Sequence, residues 1–112
     1  MNTVDQFFDK VYELQNNADA LRGYKQSIFE HLAKVTEEHG ELAENLLQLS
    51  GYKTNDEDRQ AVIQNAKEEI VDLTLMGIVM GNQFGMTKEE FIEIGVKKLA
   101  KWQSKHIDPL KK

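Results

Sequence analysis

At 112 residues the chain has room for one hydrophobic core, read here as a single domain over 1–112. Nineteen acidic against fourteen basic side chains give a formal charge of −5, which argues against a nucleic-acid backbone as main partner, since that needs a clustered basic face. Without cysteine there is no disulfide framework, zinc–thiolate site or cysteine nucleophile, so any metal must be held by oxygen or imidazole.

A lone proline, Pro109, leaves over a hundred residues free of the strongest helix breaker, and caps and periodicity place four helices. Thr3 followed by Gln6 opens the first, in which Val4, Phe7, Phe8, Val11 and Leu14 recur at helical spacing; it should run over 4–22. The amino terminus lacks the basic-then-apolar pattern of a signal peptide, so a cytoplasmic location is expected. Ser27 followed by Glu30 opens a second helix over about 28–50, with Ile28, Leu32, Val35, Leu42, Leu46 and Leu49 as its apolar set and Gly51 as a left-handed stop. Asn55 can cap a third, with Asp56, Glu57 and Asp58 at the positive end of its dipole, lasting until Gly85. Thr87 with Glu90 opens a fourth, carrying Phe91, Ile94, Val96, Leu99 and Trp102, that ends before Asp108 and Pro109.

The short connections around Lys53 and Met86 favour antiparallel neighbours, hence an all-α, antiparallel four-helix bundle. From Ile70 to Met80, apolar residues point nearly all round the axis, so a monomer would leave part of that surface wet. Pairing of subunits through the long third helix is therefore expected, as a dimer or tetramer. The run spans only 11 residues and contains Asp72, too short for a membrane span, and no membrane partner is expected.

Two acid-x-x-acid pairs stand out, Glu38 with Glu41 in the second helix and Glu69 with Asp72 in the third. At about 100° per residue, Glu38 borders the apolar stripe about 60° from Val35, and Glu41 lies roughly 60° further round, on a face shared with Lys34 and Asn45. Glu69 and Asp72 share a side with Asn65 and Met76, and antiparallel packing lets the pairs face each other. Four carboxylates brought that close raise one another's pKa and need neutralising. Asp72, the one charge in a run expected to be buried, needs a partner most. An oxygen-rich cluster suits Mg²⁺, with Mn²⁺ possible in its place; a lysine partner would make it a structural ion network instead, and spacing alone leaves both open.

Glu37-Glu38-x-x-Glu41 followed by Glu69-x-x-Asp72 resembles the E-E-x-x-E and E-x-x-D signature of the MazG-like all-α nucleoside triphosphate pyrophosphohydrolases. The text KVTEEHGELAENLLQL, AKEEIVDLTLMGIVM and GMTKEEFIEIGVKKLAKW resembles the family's helices over about residues 28–103, whereas the first helix matches only in general character. The resemblance implies Mg²⁺-dependent cleavage of a nucleoside triphosphate or its deoxy form between the α and β phosphates, giving monophosphate and pyrophosphate, usually as house-cleaning of the nucleotide pool. By position, Glu38, Glu41, Glu69 and Asp72 would be the metal ligands. Glu38 and Glu41 would also take part in the catalytic step, with Glu37, which points away from Glu41, an outer group or water activator. Lys98 matches a lysine common in the family's last helix and would bind phosphate, with Lys101 and Lys34 as further substrate-binding candidates.

Trp102 at helical spacing reads as core, and His39, in the apolar stripe with no second histidine at ligand spacing, as a packed, hydrogen-bonded side chain. Gly40 and Gly77, inside helices, hint at close helix approach. Two other functions fit the same acids: phosphoribosyl-ATP pyrophosphohydrolase, of the same superfamily, and a non-catalytic helical partner-binding module whose acids form ion pairs.

Overall fold

A computed structural model describes residues 3–51 and 56–111. Four α-helices follow in order, α1 (Val4–Arg22), α2 (Ile28–Gly51), α3 (Asp56–Gln83) and α4 (Lys88–Trp102), then a π-helical turn over Gln103–Ile107 and a 3₁₀ turn over Asp108–Leu110. Among the described residues there is no strand, and no helix is long and apolar enough to cross a membrane.

The helix starts are local chemistry. Gln6 N donates to Thr3 Oγ1 at 3.1 Å and Glu90 N to Thr87 Oγ1 at 3.1 Å. The Ser27 box closes both ways, Glu30 N donating to Ser27 Oγ at 3.1 Å and Ser27 N to Glu30 Oε1 at 3.4 Å. Each such cap stabilises a helix by about 1 kcal/mol. Gly23, at φ 79°, ends α1, and Gly85, at φ 75°, turns the chain out of α3, the left-handed conformation glycine adopts without steric penalty. Helix α2 takes in Gly51 itself, and the expected Asn55 cap and Lys53 connection lie outside the described residues.

Helices α2 and α3 form an antiparallel hairpin. Arg59 donates to the Leu49 carbonyl at 3.1 Å near one end, and His31 meets Gln83 at 2.8 Å at the other. On α2 the less exposed residues are Ile28, His31, Val35, Glu38, Leu42, Asn45 and Leu49, in alternating steps of three and four. On α3 the same rhythm gives Arg59, Val62, Ala66, Glu69, Leu73, Met76, Met80 and Gln83. This is the seam of a two-stranded coiled coil, where a residue returns to the partner every 3.5 positions. It corrects the expected stripe of α2: Leu32 and Leu46 are exposed, and His39, expected to pack, is exposed as well, while His31, Glu38 and Asn45 take the inner places.

From Leu75 onward α3 has a second covered face. Val11, Leu14 and Gln15 of α1 lie against Leu75, Met76 and Val79, where Ile78 and Val79 are buried. A Cβ on Gly40 or Gly77 would meet open space, so neither is the expected point of close approach. The tight glycine is Gly81, where a Cβ would press on the Met86 side chain of the turn after α3 and not on another helix.

Helix α4 is held at its first turns. Phe91 packs edge-on against buried Phe8 with ring centroids 5.0 Å apart, Lys88 pairs with Asp9 at 3.2 Å, and the Tyr12 hydroxyl donates to the Met86 carbonyl at 3.1 Å. Beyond Phe91 its apolar side chains are exposed, and Trp102, expected in the core, is 57% exposed. The radius of gyration, 17.8 Å, exceeds the roughly 13 Å of a compact chain of this length.

Candidate functional site

The hairpin seam carries acids from both helices to one place. Glu38 occupies an inner position of α2 and is only 6% exposed; Glu41, three residues on, lies almost one turn above it; Glu69 takes an inner position of α3. Each offers an oxygen, and the three oxygens lie within 4.8 Å of one another. Two helices of opposite direction thus converge three carboxylates in a partly dry seam, where like charges are least screened.

The chain neutralises part of that charge itself. Lys34, one turn before Glu38, reaches its Oε1 at 2.9 Å and Glu37 at 3.7 Å, and its pKa is raised first by the hydrogen bond to Glu38 and then by the charge of Glu37. The Glu69 carboxyl is pushed up to about 8, first by hydrogen bonding with Glu38, then by burial and by Glu41. Glu38 moves the other way, held ionised by hydrogen bonds from Glu69 and Lys34. With every acid ionised, the buried Oε2 of Glu69 has no hydrogen-bond partner among the described residues. A proton on Glu69 removes that conflict, because the acid then donates to Glu38.

The same three acids would suit a divalent cation. The donors are all hard carboxylate oxygens, as Mg²⁺ or Mn²⁺ prefers, and the Glu69 oxygen is a buried lone pair with no donor to accept from among the described residues. Glu38, Glu41 and Glu69 would hold it.

The other sequence candidates fall around this group. Asp72 is exposed and not buried as expected, because the outer face of α3, with Ile70 and Val71, is uncovered in this chain. It stands outside the close group of three, but with Lys34, Glu38, Leu75 and Met76 it lines an adjoining groove of about 240 Å³. Glu37 points away from the acids and lines, with Gln26, Glu30, His31, Lys34 and Met76, a hollow of about 530 Å³. That volume lies within the range of small-molecule sites, and Lys34 borders both the hollow and the acid group. Lys98 and Lys101 lie on α4, and neither pairs with a carboxylate among the described residues; Lys98 lines a hollow with Gly95, Leu99 and Trp102 of the same helix.

Sequence reasoning missed His31. It is 3% exposed, its Nδ1 lies 2.8 Å from Gln83 Oε1 and its Nε2 3.1 Å from Gln26 Oε1, while Gln83 Nε2 donates to the Gln26 carbonyl at 2.7 Å. This network ties the α1–α2 turn to the end of α3 and forms one wall of the hollow lined by Lys34 and Glu37. The available signal was the three-four spacing of His31, Val35, Glu38 and Leu42, which counts polar residues along with apolar ones.

Comparisons of the chain with protein-family models, with curated proteins and with solved structures find no match.

Proposed function

We propose that this chain is a Mg²⁺-dependent nucleoside triphosphate pyrophosphohydrolase that cleaves a nucleoside or deoxynucleoside triphosphate to the monophosphate and pyrophosphate, clearing surplus or non-standard nucleotides in the cytoplasm. One observation carries the reading: one oxygen each of Glu38, Glu41 and Glu69 converges from two helices to within 4.8 Å of the others, and a buried Glu69 oxygen has no hydrogen-bond partner among the described residues. The resemblance of these acids and Asp72 to the MazG-like signature supplies the substrate class.

In this reading Glu38, Glu41 and Glu69 hold the cation, with Asp72 at the rim of the adjoining groove. When bound, the cation supplies charge neutralisation for the phosphates and a lowered pKa for water. Lys34 keeps Glu38 ionised and borders the hollow that Glu37 also lines, where its ammonium can also meet a phosphate oxygen; that hollow receives part of the nucleotide. A water oxygen bonds to the α-phosphorus as the α–β anhydride bond breaks, its proton passes to a carboxylate, for which Glu37 is the candidate outside the close group, and pyrophosphate leaves. Lys98 and Lys101 remain substrate-binding candidates that need α4 to approach the acids. The exposed Ile70 and Val71 support an antiparallel bundle completed by self-association through α3, as a dimer or dimer of dimers.

A second reading has an observation of its own. Lys34 reaches Glu38 at 2.9 Å, and Glu38, burial and Glu41 push the Glu69 carboxyl up, so the acids can sit together without metal, as a non-catalytic helical module would require. A panel of nucleotides including phosphoribosyl-ATP, incubated with Mg²⁺ and analysed for monophosphate and pyrophosphate, decides between them. Turnover lost in Glu41→Gln and in Asp72→Asn with helical content retained is the enzyme's outcome; no release of pyrophosphate from any nucleotide, with no saturable Mg²⁺ or Mn²⁺ binding, is the module's.

A further inference from the structure

The hollow that Lys34 and Glu37 line ends at a buried chain of hydrogen bonds that the proposed reaction does not use. Gln83 Nε2 donates to the Gln26 carbonyl at 2.7 Å, which fixes the sense of the Gln83 amide, because reversed it would set its oxygen against that carbonyl oxygen. Its Oε1 therefore faces His31 Nδ1 at 2.8 Å and takes a proton from it. With Nδ1 protonated, Nε2 of a neutral imidazole is a lone pair. The end of the Gln26 side chain lies against that nitrogen, its Oε1 at 3.1 Å. Beside a lone pair the amide turns about its last bond and donates Nε2–H instead, an exchange of nearly equal shapes.

One N–H of Gln26 is thereby engaged by His31, which is 3% exposed. The other N–H and Oε1 form the free edge of the amide, one donor and one acceptor in a fixed order, on a residue that lines the hollow. The main chain beneath is held as well, Gln26 N donating to Asp19 Oδ1 at 3.4 Å and its carbonyl accepting from Gln83. Such an edge reads a base. An amide pairs with an amino group and the neighbouring ring nitrogen, as glutamine does with adenine, and the reverse order suits a carbonyl and a ring N–H. A free glutamine turns to suit either, whereas this one is held. The lining decides the sense: Glu30, in the first turn of α2, adds carboxylate oxygens, and the Lys34 ammonium is engaged by Glu38 at 2.9 Å. Among those oxygens an amino group is satisfied and a carbonyl is not. His31 stands two turns of α2 before Glu38, about 10 Å along the axis, a span that a nucleoside covers between its base edge and its α-phosphate.

We infer that Gln26 reads the base of the nucleotide, with His31 and Gln83 as positioning residues, and that the preferred base carries an amino group beside an unprotonated ring nitrogen, as cytosine and adenine do and uracil, thymine, guanine and hypoxanthine do not. The inference rests on the pyrophosphohydrolase reading and names its substrate class.

The pairs dCTP and dUTP, and ATP and ITP, differ only at that edge. Pyrophosphate release with Mg²⁺ at pH 8, where an imidazole is neutral, should show kcat/KM about 5- to 150-fold higher for the amino member of the pair that turns over. Nitrogen-15 spectra of the unmodified chain should show His31 as the Nδ1–H tautomer. Gln26→Leu should bring the ratio near one by raising KM for the amino substrate with kcat little changed. Gln83→Leu, which leaves Gln26 in place, should lower the ratio and release the tautomer, neither of which a merely structural contact would move. The monophosphates dCMP, dUMP, AMP and IMP have no anhydride to cleave, and their binding, read from the Gln26 side-chain amide resonances, separates base reading from chemistry. Pyrophosphate released with a ratio near one or favouring the carbonyl member, or an Nε2–H tautomer of His31, overturns the base reading and leaves the hydrolase standing. Preferential binding of dCMP or AMP with no pyrophosphate from any nucleotide keeps the base reading and overturns the hydrolase. Neither binding nor release overturns both.

Discussion

Proton release on metal binding follows from the position of Glu69. Its carboxyl is pushed up to about 8 by Glu38, burial and Glu41, so at pH 7 the metal-free site holds about 0.9 of a proton, falling to about 0.5 at pH 8 and about 0.1 at pH 9. Glu38 is shifted down and contributes none in this range. A cation bound by Glu38, Glu41 and Glu69 needs the ionised carboxylate and must expel that proton. Titrating Mn²⁺ calorimetrically in buffers of different ionisation enthalpy reads the number of protons released. It should be about 0.9 per ion at pH 7 and near zero at pH 9, with affinity rising about tenfold per pH unit well below pH 8 and levelling above it. Glu69→Gln should release almost none and bind more weakly at every pH. Saturable binding with no proton released at pH 7 would refute the shared-proton description of the site; binding unaffected by Glu69→Gln would remove Glu69 from the ligands.

Without metal, the same group makes stability depend on pH. The folded-state pKa of Glu69 lies above the unfolded value of 4.5, so its contribution is fully present below about pH 4.5 and lost as pH rises through about 8. Glu38, with a lowered pKa, acts below that window. Thermal melts in chelator should therefore fall from pH 5 to 8, and Glu69→Gln should flatten the slope. Phe8→Ala should destabilise the fold by about 3–5 kcal/mol in urea titration, since Phe8 is buried and joins α1 to α4 through Phe91; a loss under about 1 kcal/mol would mean that this junction is not part of the cooperative core. Gly85→Ala should lose about 1 kcal/mol from strain at φ 75°, whereas Gly81→Ala should lose less than the Phe8 change because the Met86 side chain it meets can move.

The helix ends were legible in the sequence because their causes are local. Thr3 with Gln6, Ser27 with Glu30, Thr87 with Glu90 and the turn glycine Gly85 act within four residues, and the hydrogen bonds form between those neighbours. The convergence of Glu38, Glu41 and Glu69 was legible for a related reason: spacing of three and antiparallel hairpin geometry are enough to bring them together. The phase of α2 was not. Leu32 and Leu46 look like core by composition, yet His31, Glu38 and Asn45 take the inner positions. Two of these have partners that one helix alone cannot reveal: Gln83 and Gln26 for His31, Glu69 for Glu38. A buried polar group is tolerable only when another element satisfies it, so periodicity within one helix, which scores polar residues as outward, assigns the wrong face.

The inner placement of these polar residues has a structural consequence. With them in the seam, Leu32, Leu46, Ile70 and Val71 are exposed, as are the apolar side chains of α4 beyond Phe91. Among the described side chains none is fully buried, and the small core centres on Phe8, Ala66, Ile78 and Val79. A lone chain therefore gathers its acids in its most extensive pairing of helices and leaves much of its apolar surface wet. Water disfavours that surplus by about 25 cal/mol per Å² of apolar area, so association that covers it strengthens the fold that holds the acids. Stability and concentration are then linked: diluting the protein should lower its melting temperature, and a melt independent of concentration across the association range would show that the hairpin stands without a partner.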